Sequence, residues 1–152
     1  MNKRECGECT LCCILPPIPS MNSPAGEVCS ACKNSKCSIY KDRPQECKDF
    51  NCIWLLSPVL GEELRPDKCG TVFELYEGQK TVVALAENES WKTGELHKLI
   101  SQMLIDGYVV WVMQGKERNL LLPNNMTEEE ATIKLKDAWR NRLWPLLPTQ
   151  KI

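Results

Sequence analysis

Apolar and polar positions follow a regular rhythm only in the second part of the chain. Thr71-Val72-Phe73-Glu74-Leu75-Tyr76 and Thr81-Val82-Val83-Ala84-Leu85-Ala86 are rich in β-branched and aromatic residues, with the polar Glu77-Gly78-Gln79-Lys80 between them. They read as the two strands of a hairpin. Leu96, Leu99, Ile100, Met103 and Leu104 keep the i, i+3, i+4, i+7, i+8 spacing of an amphipathic helix. Asp106-Gly107 ends it, the glycine taking the left-handed conformation. Tyr108-Val109-Val110-Trp111-Val112-Met113 and Asn119-Leu120-Leu121-Leu122 predict a second strand pair. A last helix opens at Thr127, with Glu130 completing a capping box, and its apolar stripe is Ala131, Leu135, Ala138, Trp139 and Leu143. Acidic residues crowd its start and Lys134, Lys136, Arg140 and Arg142 follow, as the helix dipole favours. The order β-β-α-β-β-α predicts an α+β fold, an antiparallel sheet with helices on one face.

Ahead of this part the rhythm is absent. Pro16, Pro17, Pro19, Ser20, Asn22, Ser23, Pro24 and Gly26 fall in one short stretch, and such a segment builds no core by itself. The same region holds nine of the ten cysteines, Cys6 to Cys52, with only Cys69 beyond. A metal that cross-links the chain supplies the stability that packing does not. The expected organisation is therefore an irregular, metal-stabilised cysteine-cluster region over 1–66, packed on an α+β region over 67–152 as one unit.

Composition narrows the function. At 152 residues the chain suits one domain of ordinary size. Its 19 basic and 20 acidic residues lack the basic excess of a nucleic-acid binder. No run approaches the ~20 apolar residues of a membrane span, and Met1-Asn2-Lys3-Arg4-Glu5-Cys6 is not followed by the apolar stretch of a signal peptide. A cytoplasmic location is expected, and with it reduced thiols that bind metal rather than form disulfides.

The cysteine spacing carries the chemistry. Cys6-Gly7-Glu8-Cys9-Thr10-Leu11-Cys12-Cys13 contains two overlapping pairs with two residues between thiols, then an adjacent thiol. Cys29-Ser30-Ala31-Cys32 repeats that spacing, and Cys37, Cys47 and Cys52 follow. Two-residue gaps let a tight turn bring both sulfurs to one tetrahedral ion at ~2.3 Å. Nine thiols exceed the four that one zinc or one cubane cluster takes. Adjacent Cys12 and Cys13 point apart, so either two centres lie side by side or some thiols are merely buried; two centres are favoured. A bacterial ferredoxin pattern fits Cys6, Cys9 and Cys12 but meets Pro16 where the fourth cysteine belongs. Iron–sulfur chemistry is thus allowed by the spacing without being required by it.

Cys6-x-x-Cys9-x-x-Cys12-Cys13, followed by Cys37-Ser38-Ile39-Tyr40-Lys41-Asp42-Arg43-Pro44-Gln45-Glu46-Cys47-Lys48-Asp49-Phe50-Asn51-Cys52, resembles the YkgJ-like cysteine-cluster family, described as a zinc- or iron-chelating domain. The resemblance covers the first third to two-fifths of the chain. It implies metal ligation by Cys6, Cys9, Cys12, Cys13, Cys37, Cys47 and Cys52, with Cys29 a further ligand. Cys32 joins the candidate set through its spacing to Cys29, while Cys69 stands outside it as a small buried hydrophobe.

Tyr40 and Arg43 sit between ligands, where Arg43 would neutralise thiolate charge and brace the loop. Pro44 starts a helical turn toward Cys47, and Phe50 and Trp54 shield the centre from water. His97, the only histidine, is read as a surface residue, and Trp91, Trp111, Trp139 and Trp144 as core and rim packing. One histidine and no phosphate-cradling glycine loop leave no familiar catalytic arrangement. The expectation is a protein chelating zinc or iron in one or two centres, with a structural or metal-handling role and a possible protein partner. The alternatives are an iron–sulfur redox protein and an interaction adaptor with a structural zinc.

Overall fold

The strands form where the apolar alternation lies. The computed structural model describes residues 4–139, with side chains through 137. Strands β3 (Thr71–Tyr76), β4 (Thr81–Ala86), β5 (Val109–Gln114) and β6 (Glu117–Leu121) make a four-stranded sheet in the order β3-β4-β5-β6. The cysteine region carries only short elements: a two-stranded ribbon of β1 (Cys32–Lys33) and β2 (Lys36–Cys37), and the single-turn helices α1 (Gln45–Lys48), α2 (Ile53–Leu56) and α3 (Pro66–Cys69). Helix α4 (Gly94–Ile105) links β4 to β5, and α5 (Glu128–Trp139) follows β6.

The sheet is mixed, where the strand order had suggested an antiparallel one. β3–β4 and β5–β6 are antiparallel, but β4 and β5 run parallel, with Val83 opposite Trp111. The twelve-residue α4 is the cause: it carries the chain back along the sheet, so β5 starts at the same end as β4. Helices also cover both faces rather than one. Phe73, Val82, Ala84, Val110 and Val112 face Trp91 and the α4 residues Leu96, Ile100 and Met103. Val72, Val83, Leu85, Trp111 and Met113, one position out of phase, face Leu135 and Ala131 of α5 together with Leu11, Cys52 and Trp54 of the cysteine region. Coverage on both sides leaves every residue of β4 buried, as expected of a central strand with parallel pairing.

Local chemistry sets the boundaries. Gly107, at φ 86°, takes the left-handed turn after α4, and Lys80 Nζ reaches the Asp106 carbonyl at 3.2 Å. Thr127 and Glu130 form the reciprocal capping box: Thr127 N–H donates to Glu130 Oε2 at 2.9 Å and Glu130 N–H to Thr127 Oγ1 at 3.2 Å. The stripe positions Ala138 and Trp139 fall where side chains are not described. Arg140, Arg142, Leu143 and Trp144 lie outside the described residues. Among the described residues no helix is long and apolar enough to cross a membrane.

The cysteine region is sewn to the sheet at two places. Asn51 and Cys52 run along the outer edge of β3: Leu75 N–H donates to the Asn51 carbonyl at 3.0 Å, and Cys52 forms a single antiparallel bridge to the fully buried Glu74. This closes a strand edge that would otherwise expose its backbone groups. Arg4 supplies the second seam. Its guanidinium donates to the carbonyls of Trp54 and Ser57 (both 2.8 Å), Pro58 (3.1 Å) and Leu60, and lies over the Trp54 ring at 4.4 Å. A cation on the last carbonyls of α2 satisfies groups that a four-residue helix leaves open.

Candidate metal centre

Tight turns position the thiols. Cys9 N–H donates to the Cys6 carbonyl at 2.9 Å, and Cys12 and Cys13 sit in one 3-10 turn, Leu11–Cys13. Cys29 N–H donates to the Cys13 carbonyl and Cys32 N–H to the Cys29 carbonyl, both at 2.9 Å. The β1–β2 ribbon then places Cys37 opposite Cys32 across a two-residue turn, Asn34 and Ser35 both at positive φ (50° and 58°). Pro44 precedes α1, which presents Cys47, and Cys52 caps α2 at the sheet edge.

These turns bring Cys6, Cys9, Cys12, Cys13, Cys29, Cys32, Cys37, Cys47 and Cys52 to the wall of one cavity of about 690 Å³. All ten cysteines are free thiols. Cys69 stands apart from the cavity wall, its thiol directed at the Thr71 carbonyl at 3.2 Å, and packs with the α4 side of the sheet. His97 is exposed on α4, against the opposite face of the sheet. Among the described residues, no three Cys, His, Asp or Glu side chains converge closely enough to form a ready-made ligand set. The thiols surround the cavity rather than meet at a point.

The residues expected to support the ligands are beside them. Arg43 lies over the Tyr40 ring at 4.0 Å and donates to the Tyr40 carbonyl at 2.7 Å. Burial raises the Cys6 pKa, while the Arg43 charge and a hydrogen bond from Tyr40 act to lower it. Arg43 therefore does at Cys6 what a cation does beside a thiolate. Phe50 and Trp54 line the cavity, along with Ile18 and Ile39.

Burial raises the pKa of Cys9, Cys32, Cys47 and Cys52. Cys47 and Cys52 are each pushed up to about 11, at Cys47 with the Glu46 carboxylate adding to the effect. Cys12 rises well above the ordinary thiol range because its S–H donates to Cys13 and because it is buried. Cys13, accepting from Cys12 and also from Cys32, is lowered to about 7. It is the thiol of this cluster best prepared to act as a thiolate near neutral pH.

Three contributors lie outside the set that the cysteine spacing marks. Asp67 accepts a hydrogen bond from Cys9 and is itself held by Arg65, at 2.6 and 2.7 Å, which lowers its pKa. The Thr10 side chain hydrogen-bonds Cys32. Arg4 fixes the segment leading into Cys6. Asp67 and Arg4 act across long sequence separations that spacing cannot reveal. Thr10 lies inside the first cysteine motif and was the one within reach of a local reading.

The donor set is soft and anionic once deprotonated, which suits zinc or thiolate-bound iron over hard cations such as magnesium or calcium. No family model, curated protein or solved structure matches the chain.

Proposed function

We propose that this protein is a metal-binding cysteine-cluster protein that chelates zinc or iron through Cys6, Cys9, Cys12, Cys13, Cys29, Cys32, Cys37, Cys47 and Cys52. One observation carries the reading: these nine thiols line a single cavity, and the tenth, Cys69, does not. The YkgJ-like spacing of the first motif and of the Cys37–Cys52 segment points to the same role. Tyr40 and Arg43 brace the Cys6 side, and the metal supplies a cross-link that lets a region with few hydrogen-bonded elements hold one shape. The reading takes the protein to be cytoplasmic, with reduced thiols, and its net charge of −1 lacks the basic excess of a nucleic-acid binder.

The donor set admits one alternative in particular. Thiolates hold iron as well as zinc, so an iron–sulfur centre with a redox role is the second reading. Metal and acid-labile sulfide content, with an absorption spectrum, on full-length protein purified without oxygen separates the two. Zinc in a colourless protein supports the chelating or structural role. Iron with matching sulfide and a brown colour makes it a redox protein. Protein free of both metals would sink the proposal.

A further inference from the structure

The nine thiols do not form one continuous group. Cys52 belongs to the buried cluster of Leu11, Trp54 and Val72 against the sheet, and Cys9 packs on that same cluster. Cys29 belongs instead to a separate small cluster with Ile18 and Ala31, on which Cys13, Cys32 and Cys47 pack. Backbone contacts divide them the same way. Cys6 and Cys9 share one turn, whereas Cys13, Cys29 and Cys32 are chained by successive N–H···O=C bonds and Cys32 faces Cys37 across the ribbon.

Charge coupling between thiols follows this division apart from Cys13. Cys52 responds to Cys9 and Cys6, and Cys12 to Cys13 first and then to Cys6 and Cys52. Cys47 responds to Cys13, Cys29 and Cys37. Contacts that cross the division all run through Cys13: its hydrogen bond with Cys12 and its influence on Cys6. Cys12 and Cys13 meet where the two groups adjoin, the Cys12 S–H donating to Cys13.

We propose that the cavity holds two metal centres: an inner one ligated by Cys6, Cys9, Cys12 and Cys52 against the sheet, and an outer one ligated by four of Cys13, Cys29, Cys32, Cys37 and Cys47. This rests on the metal-binding reading above and adds which thiols belong together. Four thiolates complete the inner coordination shell. The inner centre is anchored to the β3 edge through Cys52. The outer centre is held by turns, the β1–β2 ribbon and the single turn of α1, and so is the one placed to exchange its metal.

Loading the full-length protein with ¹¹³Cd²⁺ alone tests the division without any mutation. Metal content is measured first, then proton–cadmium correlation through the cysteine Cβ protons. Two cadmium resonances are expected, one correlated with Cys6, Cys9, Cys12 and Cys52, the other only with members of the outer set. In parallel, Cys9→Ser should halve the bound cadmium and remove the inner resonance, and the double variant Cys29→Ser with Cys47→Ser, which leaves three outer thiols, should halve it and remove the outer one. A single resonance, or one cadmium correlated with both Cys9 and Cys47, overturns the division while leaving metal binding intact. Unmutated protein that takes up no cadmium overturns the metal-binding reading and the division with it. A Cys9 variant that loses both ions also counts against independent centres, unless the unmutated chain has already given two separate ligand sets, which decide for them.

Discussion

The two parts of this molecule are ordered by different means. In the sheet, β4 is buried along its whole length, and its neighbours supply backbone ladders on both sides. Order there comes from many cooperating apolar contacts, so no single residue is indispensable in kind. In the cysteine region the elements are two to four residues long, and neighbouring turns are tied by isolated hydrogen bonds. There the thiols that line the cavity are the recurring feature. The contrast shows that a chain can place an irregular layer by fastening it to a well-packed sheet, here at Cys52 and Arg4.

Removing the metal should have the largest effect and should fall on one part. Structural zinc contributes on the order of 10 kcal/mol in small thiolate sites. After chelation, amide hydrogen exchange should speed up through Cys6–Lys48 while β4 and β5 stay protected. Equal loss of protection in both parts would merge them into one cooperative unit. Trp111→Ala probes the sheet instead. Trp111 is among the largest fully buried side chains, and its truncation should cost about 3–5 kcal/mol in urea unfolding. Trp111 supplies no thiol to the cavity, so metal per folded chain should not change.

Arg4→Ala attacks the seam. Losing charge-assisted bonds to the Trp54, Ser57, Pro58 and Leu60 carbonyls should cost about 1.5–3 kcal/mol. The change should show in Trp54 fluorescence, and an unaltered spectrum with unaltered stability would remove Arg4 from the seam.

In protein stripped of metal, stability should pass through a maximum near pH 9. Cys13, lowered to about 7, favours the folded state above the ordinary thiol value of 9.0 and loses that contribution as pH falls toward 7. Cys47 and Cys52, raised to about 11, act oppositely. The folded chain retains protons that the unfolded chain has released, so stability falls as pH rises from 9 through 11. Denaturant midpoints at pH 7, 9 and 11 check both signs. Cys69→Ser should do least. Serine keeps a donor for the Thr71 carbonyl, so a loss of about 1 kcal/mol or less and full metal content are expected.

How much was readable depended on which force orders each part. The strands Thr71–Tyr76 and Thr81–Ala86, the α4 stripe, its stop at Gly107 and the Thr127–Glu130 box are local patterns, and they appear in the structure where the residues put them. The nine thiols clustered between Cys6 and Cys52 line one cavity and Cys69 does not. Periodicity reports which residues want burial but not which strand lies beside which. The parallel pairing of β4 with β5, and the covering of the second sheet face by Leu11, Cys52 and Trp54, were therefore decided only in three dimensions. So were Asp67 beside Cys9 and Arg4 beneath α2, because both act across long stretches of chain. By itself the sequence determined the local elements and the chemistry of the thiols. Tertiary structure decided how they divide between the sheet and the loops, since that depends on contacts that close only when distant segments are packed together.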